Sequence, residues 1–285
     1  MKILRESLAI FLLAFNRLFP KEEKGILSVY FHKPEKWLFR SVIESILKKG
    51  YTIITLKELE QIIRTKAEVK KKAVITFDDG SVETLDLIRS IREYNIPVAM
   101  FIPTEPVESG SFWWDFAELK GQKEVSGLNA PADFKTLPED IFDQKIKQLK
   151  TKFKIQRTCI TLDELKRLGD VDLITLGAHT VTHPILENCS FERQEKELKE
   201  SKEQLGKWLR RPIEYFAYPN GDYNKNTLVL LKKLNYKMAF TTKPGRIDPG
   251  SVDPLQIPRY SINDEGGKYE NLAKASGAWQ RFLPS

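Results

Sequence analysis

The stretch Ala73-Val-Ile-Thr-Phe-Asp-Asp-Gly80 decides how the chain is organised. Its first five residues form a short run rich in β-branched and aromatic side chains after the basic turn 70–72, which predicts a buried strand. The run ends at Asp78 and Asp79, whose adjacent carboxylates repel each other and lose hydration unless a cation or a proton lies between them. Gly80 permits a sharp turn. Because Asp and Gly are common turn residues, this stretch alone is equally compatible with a plain polar turn.

The composition is that of an ordinary globular protein. The 285 residues suffice for one large domain or two small ones, with 41% hydrophobic and 30% charged residues. The net charge of +7 comes from lysines spread along helical segments, with no basic block interleaved with aromatic residues. This pattern argues against nucleic-acid binding and leaves a weak preference for anionic membranes or glycans. Cys159 and Cys189 indicate free thiols rather than a disulfide scaffold.

Residues 1–24 form a separate N-terminal segment. Lys2 and Arg5 precede an apolar run over residues 8–15, which is shorter than the roughly 20 residues that span a bilayer. Glu6 interrupts the basic start and no small-residue cleavage site follows, so a cleaved signal peptide is not expected. We expect an amphipathic helix that lies on the domain or on a membrane surface, with peripheral membrane contact through residues 1–20. The corresponding location is cytoplasmic or membrane-peripheral.

Strand and helix patterns alternate along the rest of the chain, which favours a parallel α/β sheet, open or closed into a barrel. Residues 104–157 break the alternation and are interpreted as an insertion over one end of the sheet. Predicted strands cover residues 26–31, 51–55, 73–77, 98–102, 173–176, 213–217, 237–241 and 255–260, and predicted helices cover 36–49, 56–64, 82–94, 138–153, 161–168, 191–209 and 224–234.

Two of the three histidines lie close together after a predicted strand. His179 and His183 are four residues apart, a spacing that places both imidazoles on one side of a helical turn. A lone buried histidine is usually structural, but a pair of histidines in a chain with only three favours a role in binding an ion. With Asp79 the set is two imidazoles and one carboxylate, the ligands of a catalytic divalent metal that keeps open positions and acidifies bound water.

Three motifs, in order, resemble those of the polysaccharide deacetylases, carbohydrate esterase family four. They are Thr76-Phe-Asp-Asp-Gly80, His179-Thr-Val-Thr-His183-Pro184 and Phe216-Ala-Tyr-Pro-Asn-Gly221. The resemblance runs from about residue 26 to 260 and implies that residues 25–285 form a catalytic domain. It also implies a distorted (β/α) barrel of about seven strands, a divalent ion that is often zinc, and removal of N- or O-acetyl groups from a carbohydrate substrate.

The resemblance also assigns roles to particular residues. Asp78 corresponds to the catalytic base, and Asp79, His179 and His183 correspond to the metal ligands. Tyr218 stands where the family uses a backbone N–H to hold the oxyanion.

The chain departs from the family pattern at two places. Ala217 replaces the arginine that orients the base in many members, and Arg259, at the end of a late predicted strand, is hypothesised to supply that cation from another direction. The alternative is an exposed arginine. No histidine follows His183, so the family's late general acid is missing. His32 is the one spare imidazole: it acts as the acid or packs as a structural histidine beneath the metal.

The sequence is compatible with three functions. The first is a metal-dependent glycan deacetylase. The second is a metal-dependent amidase for a non-sugar C–N bond, and the third is a catalytically weak glycan-binding protein. Trp113 and Trp114 either stack on a sugar or anchor the insertion to the core, and anchoring is favoured because exposed adjacent tryptophans are costly.

Overall fold

The computed structural model describes residues 2–19, 24–119 and 121–282. Its strands are short and mostly buried on both faces, as expected of parallel strands covered by helices. They are β1 (Leu27–Phe31), β2 (Thr52–Ile53), β3 (Lys72–Phe77), β4 (Val98–Ile102), β5 (Ile174–Ala178), β6 (Tyr215–Ala217), β7 (Met238–Phe240) and β8 (Tyr260–Ser261).

Seven of these strands form one parallel sheet in the order β7-β6-β5-β4-β3-β1-β8, and β2 pairs with the start of β3. The register places Phe31 of β1 beside Phe77 of β3, and Ile102 of β4 beside Ala178 of β5. Before β8, Ile257 forms a parallel bridge with Phe240 of β7. The segment 257–261 therefore contacts both edges of the sheet, which confirms the predicted distorted (β/α) barrel.

Helices surround the sheet. They are α1 (Lys2–Leu18), α2 (Lys36–Lys48), α3 (Leu56–Thr65), α4 (Ile88–Tyr94), α5 (Thr104–Ser109), α6 (Trp113–Ala117), α7 (Gln122–Ser126), α8 (Pro131–Phe134), α9 (Glu139–Lys152), α10 (Leu162–Gly169), α11 (Phe191–Leu209), α12 (Lys225–Lys233), α13 (Lys268–Ala275) and α14 (Ala278–Phe282). Thr55 and Thr161 each begin a helix with a reciprocal capping box, to Glu58 and Glu164 respectively.

Two predicted elements differ from the structure. The strand expected over 255–260 is wrong in extent, because only Tyr260 of that range belongs to a strand. Pro254 and Pro258 lack the backbone N–H that a continuous ladder needs. The helix expected over 82–94 begins as a 3₁₀-helix, Val82–Leu87, where Thr84 bonds back to the carbonyl of Ser81, and continues as α4.

The insertion has its own small apolar cluster between α6, α8 and α9. The cluster includes Trp113, Phe134, Phe142, Ile146 and Leu149. This cluster is distinct from the apolar core of the sheet, and Trp114 packs against both.

Helix α1 packs against α13 and α14. Its Glu6 carboxylate accepts hydrogen bonds from the backbone N–H groups of Tyr269 and Glu270, in the first turn of α13. Arg5 forms an ion pair with Glu270 at 2.6 Å. Met1 and residues 20–23 of the predicted N-terminal segment lie outside the described residues. Within the described part, no helix is long and apolar enough to cross a membrane.

Candidate metal and catalytic site

The predicted site residues gather at the carboxyl ends of neighbouring strands. Asp78 and Asp79 follow β3, His179 follows β5, and His32 follows β1. In a parallel sheet these ends share one edge, which is why residues far apart in sequence meet there. Arg259, immediately before β8, reaches the same region from the closing segment.

Asp79, His179 and His183 form a compact donor set. One ligand atom from each lies within 4.8 Å of the others. The Nε2 atoms of both histidines are 3.4 Å from Asp79 Oδ1. Both histidines are almost fully buried, whereas the Asp79 side chain keeps 13% exposure. The protein therefore shields the donor set from solvent on most sides and leaves it partly exposed at Asp79.

The donor atoms themselves indicate a cation. Nδ1 of His179 lies 2.7 Å from the carbonyl oxygen of Ala217, which can only accept, so this nitrogen carries the proton. In the neutral form of this imidazole, the lone pair of His179 Nε2 faces Asp79 Oδ1, which has no hydrogen-bond partner among the described residues. Two electron-rich atoms directed at one space fit a bound divalent cation. Burial also lowers the pKa of His183, which favours the neutral imidazole that binds metals.

The segment that carries the two histidines is not helical, contrary to the expectation from their spacing. Thr180 and His183 have φ of 69° and 56°, in the left-handed region that a β-branched residue such as threonine rarely adopts. Thr180 Oγ1 accepts a hydrogen bond from the backbone N–H of His183. A strained turn, rather than a helical one, brings the imidazoles together.

Glu197 of α11 holds this turn in place, and the sequence analysis missed it. Its buried carboxylate accepts from the backbone N–H groups of Val181 and Thr182 at 2.7 and 2.9 Å. The Thr182 hydroxyl and Arg193 Nε also donate to it, at 2.7 and 3.0 Å. Helix α11 is rich in charged residues, and no local pattern in its sequence distinguishes the buried Glu197 from the acids that face solvent.

Arg259 clamps Asp78 with both arms of its guanidinium group. Nη1 and Nη2 each lie 2.8 Å from one carboxylate oxygen. Nε donates to the carbonyl of Thr241, and the guanidinium lies over the ring of Tyr30 at 4.3 Å. The arginine is fully buried, so the alternative of an exposed arginine is wrong.

This clamp sets the charge of Asp78. Burial alone raises the pKa of the carboxyl group, but attraction to Arg259 and the hydrogen bonds from it outweigh burial. The pKa of Asp78 consequently lies below its ordinary value, and the group is ionised at neutral pH.

The expectation for Tyr218 is not met. Its backbone N–H donates to the carbonyl of Phe240 at 3.1 Å, within the pairing of β6 with β7, and its hydroxyl donates to the carbonyl of Leu255. The amide is thus occupied by the sheet. Two residues later, Asn220 offers a donor instead: its Nδ2 is buried and has no partner in the described part of the chain.

The orientation of the Asn220 amide follows from Lys135, whose Nζ donates to Asn220 Oδ1 at 2.6 Å. The oxygen is thereby assigned, and Nδ2 is the free end. Asn220 lines the same cavity as the metal ligands.

His32 lies beside the site and has an acidic neighbour. Its side chain is 42% exposed, so it is not packed beneath the metal ligands as the structural alternative required. Asp264 accepts from the backbone N–H groups of His32 and Lys33, at 3.3 and 3.0 Å, and its Oδ2 is 3.7 Å from His32 Nδ1. Burial raises the pKa of Asp264.

A cavity of about 190 Å³ connects these groups. The insertion supplies part of its wall through Trp114, Glu118 and Lys135. Trp113 is 3% exposed and donates to the carbonyl of His183, as the anchoring interpretation expected. Trp114 instead stacks on Phe112. Its ring centroid lies 4.7 Å from that of His183, in a T-shaped arrangement.

Comparisons with known proteins agree with this architecture. The model of the family described as polysaccharide deacetylase matches residues 65–239. The YxkH protein of Bacillus subtilis (strain 168) is 29% identical over 86 residues, which make up 30% of this chain and 30% of that relative. The match therefore spans less than a third of the curated protein.

Solved structures are similar over most of the chain. The deacetylase PplD of Streptococcus pyogenes, solved in complex with acetate, has a TM-score of 0.64 at 22% identity, covering 88% of this chain and 97% of PplD. IcaB from Ammonifex degensii has a TM-score of 0.65 at 16% identity, covering 90% of this chain and 97% of IcaB. At these identities the likeness establishes the fold.

Proposed function

Because the chain belongs to the polysaccharide deacetylase family, we propose that it is a metal-dependent hydrolase that removes acetyl groups from an acetylated glycan. One observation carries the proposal: Asp79 and two imidazoles face a common point, next to a base held ionised by a buried arginine. A protein that only bound glycans would need neither the bidentate clamp nor two adjacent carboxylates.

Asp79, His179 and His183 would hold the cation, for which zinc suits the nitrogen and oxygen donors. When bound, such an ion polarises the acetyl carbonyl and makes water more acidic. Asp78 accepts the proton of the attacking water as the new C–O bond forms, and Arg259 keeps its carboxylate oriented and charged.

Charge then develops on the former carbonyl oxygen. We assign Asn220 Nδ2 as a hydrogen-bond donor to that oxyanion, in place of the Tyr218 amide, because it is buried, unpartnered and already oriented by Lys135. Such a donor costs little reorganisation when the charge appears.

Collapse of the intermediate breaks the C–N bond and requires a proton on the leaving amine. His32 is assigned as its donor, with Asp264 as the positioning residue that fixes the backbone of His32 and Lys33. Acetate and the free amine are the products. An O-acetyl ester would release an alcohol by the same steps.

The test is acetate release from N-acetylated chitooligosaccharides and from peptidoglycan fragments, before and after chelation and after metal is restored. Release that depends on the metal and is lost in Asp78→Asn supports the deacetylase. Hydrolysis of simple non-sugar amides alone would establish the amidase. Glycan binding without acetate release would establish the binding protein.

A further inference from the structure

The outward face of α1 is apolar although it is exposed. Leu4, Phe11 and Leu18 recur every seven residues on one side of the helix and are 75%, 62% and 74% exposed. Of the twelve exposed large hydrophobic side chains in the described ranges, seven belong to residues 3–19. These seven are Ile3, Leu4, Leu8, Ile10, Phe11, Leu18 and Phe19. The exposed apolar surface is thus concentrated on this one helix.

The opposite side of α1 is already occupied. Ala9 and Leu12 are buried, and Ala9 packs in a cluster with Ala273 and Ala278 of the C-terminal helices. Glu6 is used at the first turn of α13. Residues 8–15 are apolar on every side of the helix, and such a segment is normally buried on all sides. Its outward face nevertheless stays exposed in the described part of the structure.

The charges around this face are positive. Lys2 and Arg17 are exposed, and among the described residues Arg281 of α14 donates to two uncharged groups, Asn16 Oδ1 and the carbonyl of Phe19. The single acid of α1, Glu6, is directed toward α13. Within the described ranges, the face therefore combines apolar side chains with cations near both ends of the helix.

We propose that this face binds an anionic membrane surface, with α1 lying in the plane of the interface. The apolar side chains would enter the boundary between headgroups and acyl chains, while Lys2, Arg17 and Arg281 contact lipid phosphates. The positive charge favours lipid over a second copy of the same face, because two such faces would bring like charges together.

Membrane binding would leave the catalytic cleft accessible. Arg5, on another side of α1, lines a cleft of about 540 Å³ that also includes His32, Asp79 and Trp114. The outward residues are absent from its walls. The proposal can therefore fail while hydrolysis of a soluble substrate persists, and the reverse also holds.

The experiment is co-sedimentation of the full chain with phosphatidylcholine vesicles, with and without phosphatidylglycerol, at low and high salt. Leu4→Ser/Phe11→Ser is compared with Val229→Ser, which removes another exposed apolar side chain, from α12. Wild type and the control should bind the anionic vesicles and release them at high salt. The double variant should bind at least about tenfold more weakly, because it loses two apolar side chains that the proposal places in the membrane.

Three results would overturn the proposal. They are absence of wild-type binding, equal binding by the double variant, and a wild-type dimer that the double variant abolishes, which would assign the face to a second copy. Melting temperature and acetate release from a soluble substrate, both expected to match the wild type, show that the variant is folded.

Discussion

Arg259 and Asp78 lie 181 residues apart and form a fully buried, two-pronged ion pair, with both N···O distances at 2.8 Å. We propose that Arg259 takes the place of the arginine that many family members carry at the position of Ala217. A carboxylate this deeply buried would otherwise favour its protonated form, which cannot act as a base. The geometry thus accounts for how the site keeps an ionised base without the usual partner.

Replacing Arg259 by Gln should raise the pKa of Asp78, because the strongest interactions that oppose the effect of burial are then lost. The acidic limb of the pH–rate profile should move to higher pH, with kcat reduced at neutral pH. The stability should change as well. In the wild type the pKa of Asp78 is lower in the folded state than in the unfolded state. Asp78 therefore stabilises the fold at pH values above its pKa in the unfolded state, and this stabilisation is lost as the pH falls through its pKa in the folded state. In the variant the sign reverses, and stability increases as the pH falls.

Urea unfolding measures the size of this effect. Leaving one member of a buried ion pair unpaired costs about 3–5 kcal/mol. Arg259→Gln/Asp78→Asn should recover part of that loss, since no charge remains buried. Arg89→Lys, at an exposed pair with Glu93, serves as the control and should behave like the wild type. An acidic limb that does not move would refute the claim that Arg259 lowers the pKa of Asp78.

Metal binding should depend on Asp79 and be visible without any assay of activity. Zn²⁺ at a hundredfold excess over its Kd should stabilise the wild type by about 2.7 kcal/mol. Asp79→Asn should show little of this stabilisation, and the exposed Asp172→Asn should show all of it. Thermal unfolding with and without chelator gives the comparison, and metal content after dialysis gives an independent check. Equal metal retention by Asp79→Asn would place the cation elsewhere.

His32→Gln should reveal the general acid through the leaving group. Acid catalysis contributes about 10²–10⁴-fold when the departing group needs a proton. We expect a loss of that order on an N-acetyl glycan, but only a small loss on an activated aryl acetate, whose leaving group departs without protonation. Metal content should stay unchanged.

Asp264→Asn keeps the size of the positioning side chain and should give a weaker loss with the same dependence on the leaving group. Equal losses on both substrates would remove the acid role of His32 and leave a role in binding or packing.

Asn220→Gly tests the proposed oxyanion donor without straining the backbone. Asn220 has φ of 55°, which glycine tolerates and alanine does not. Removing one such donor costs about 10²–10³ in kcat. KM should change little if the contact forms mainly in the transition state. Lys135→Met removes the side chain that orients the amide, and its effect should be smaller. A change confined to KM would show that Asn220 binds the ground state.

The sequence predicted the parts of this site that lie within single motifs. The Asp78–Asp79 pair and the two histidines are local patterns at strand ends. The alternation of elements predicted a parallel α/β sheet, and the resemblance to the polysaccharide deacetylases implied the barrel. Asp264 and Glu197 were not found, because an isolated acid in a loop or a charged helix has no local signature. Tyr218 was misassigned since its N–H belongs to the pairing of β6 with β7, which depends on register. The role of Arg259 was only a hypothesis, because it depends on how the last segment closes the barrel.

Glu197 offers the most direct test of whether the strained turn matters to the metal. Its carboxylate holds the backbone of Val181 and Thr182, midway between the two histidine ligands. Glu197→Gln keeps the shape but replaces one accepting oxygen with an NH2 donor, which cannot accept from the N–H groups of Val181 and Thr182 or from Arg193 Nε. Loss of such outer contacts typically weakens metal affinity by about 10–100-fold. Calorimetric titration with Zn²⁺ should show this loss, whereas Glu200→Gln, on the exposed side of the same helix, should titrate like the wild type. If Glu197→Gln also retained full affinity, the turn would owe its conformation to Thr180 alone, and α11 would have no part in the site.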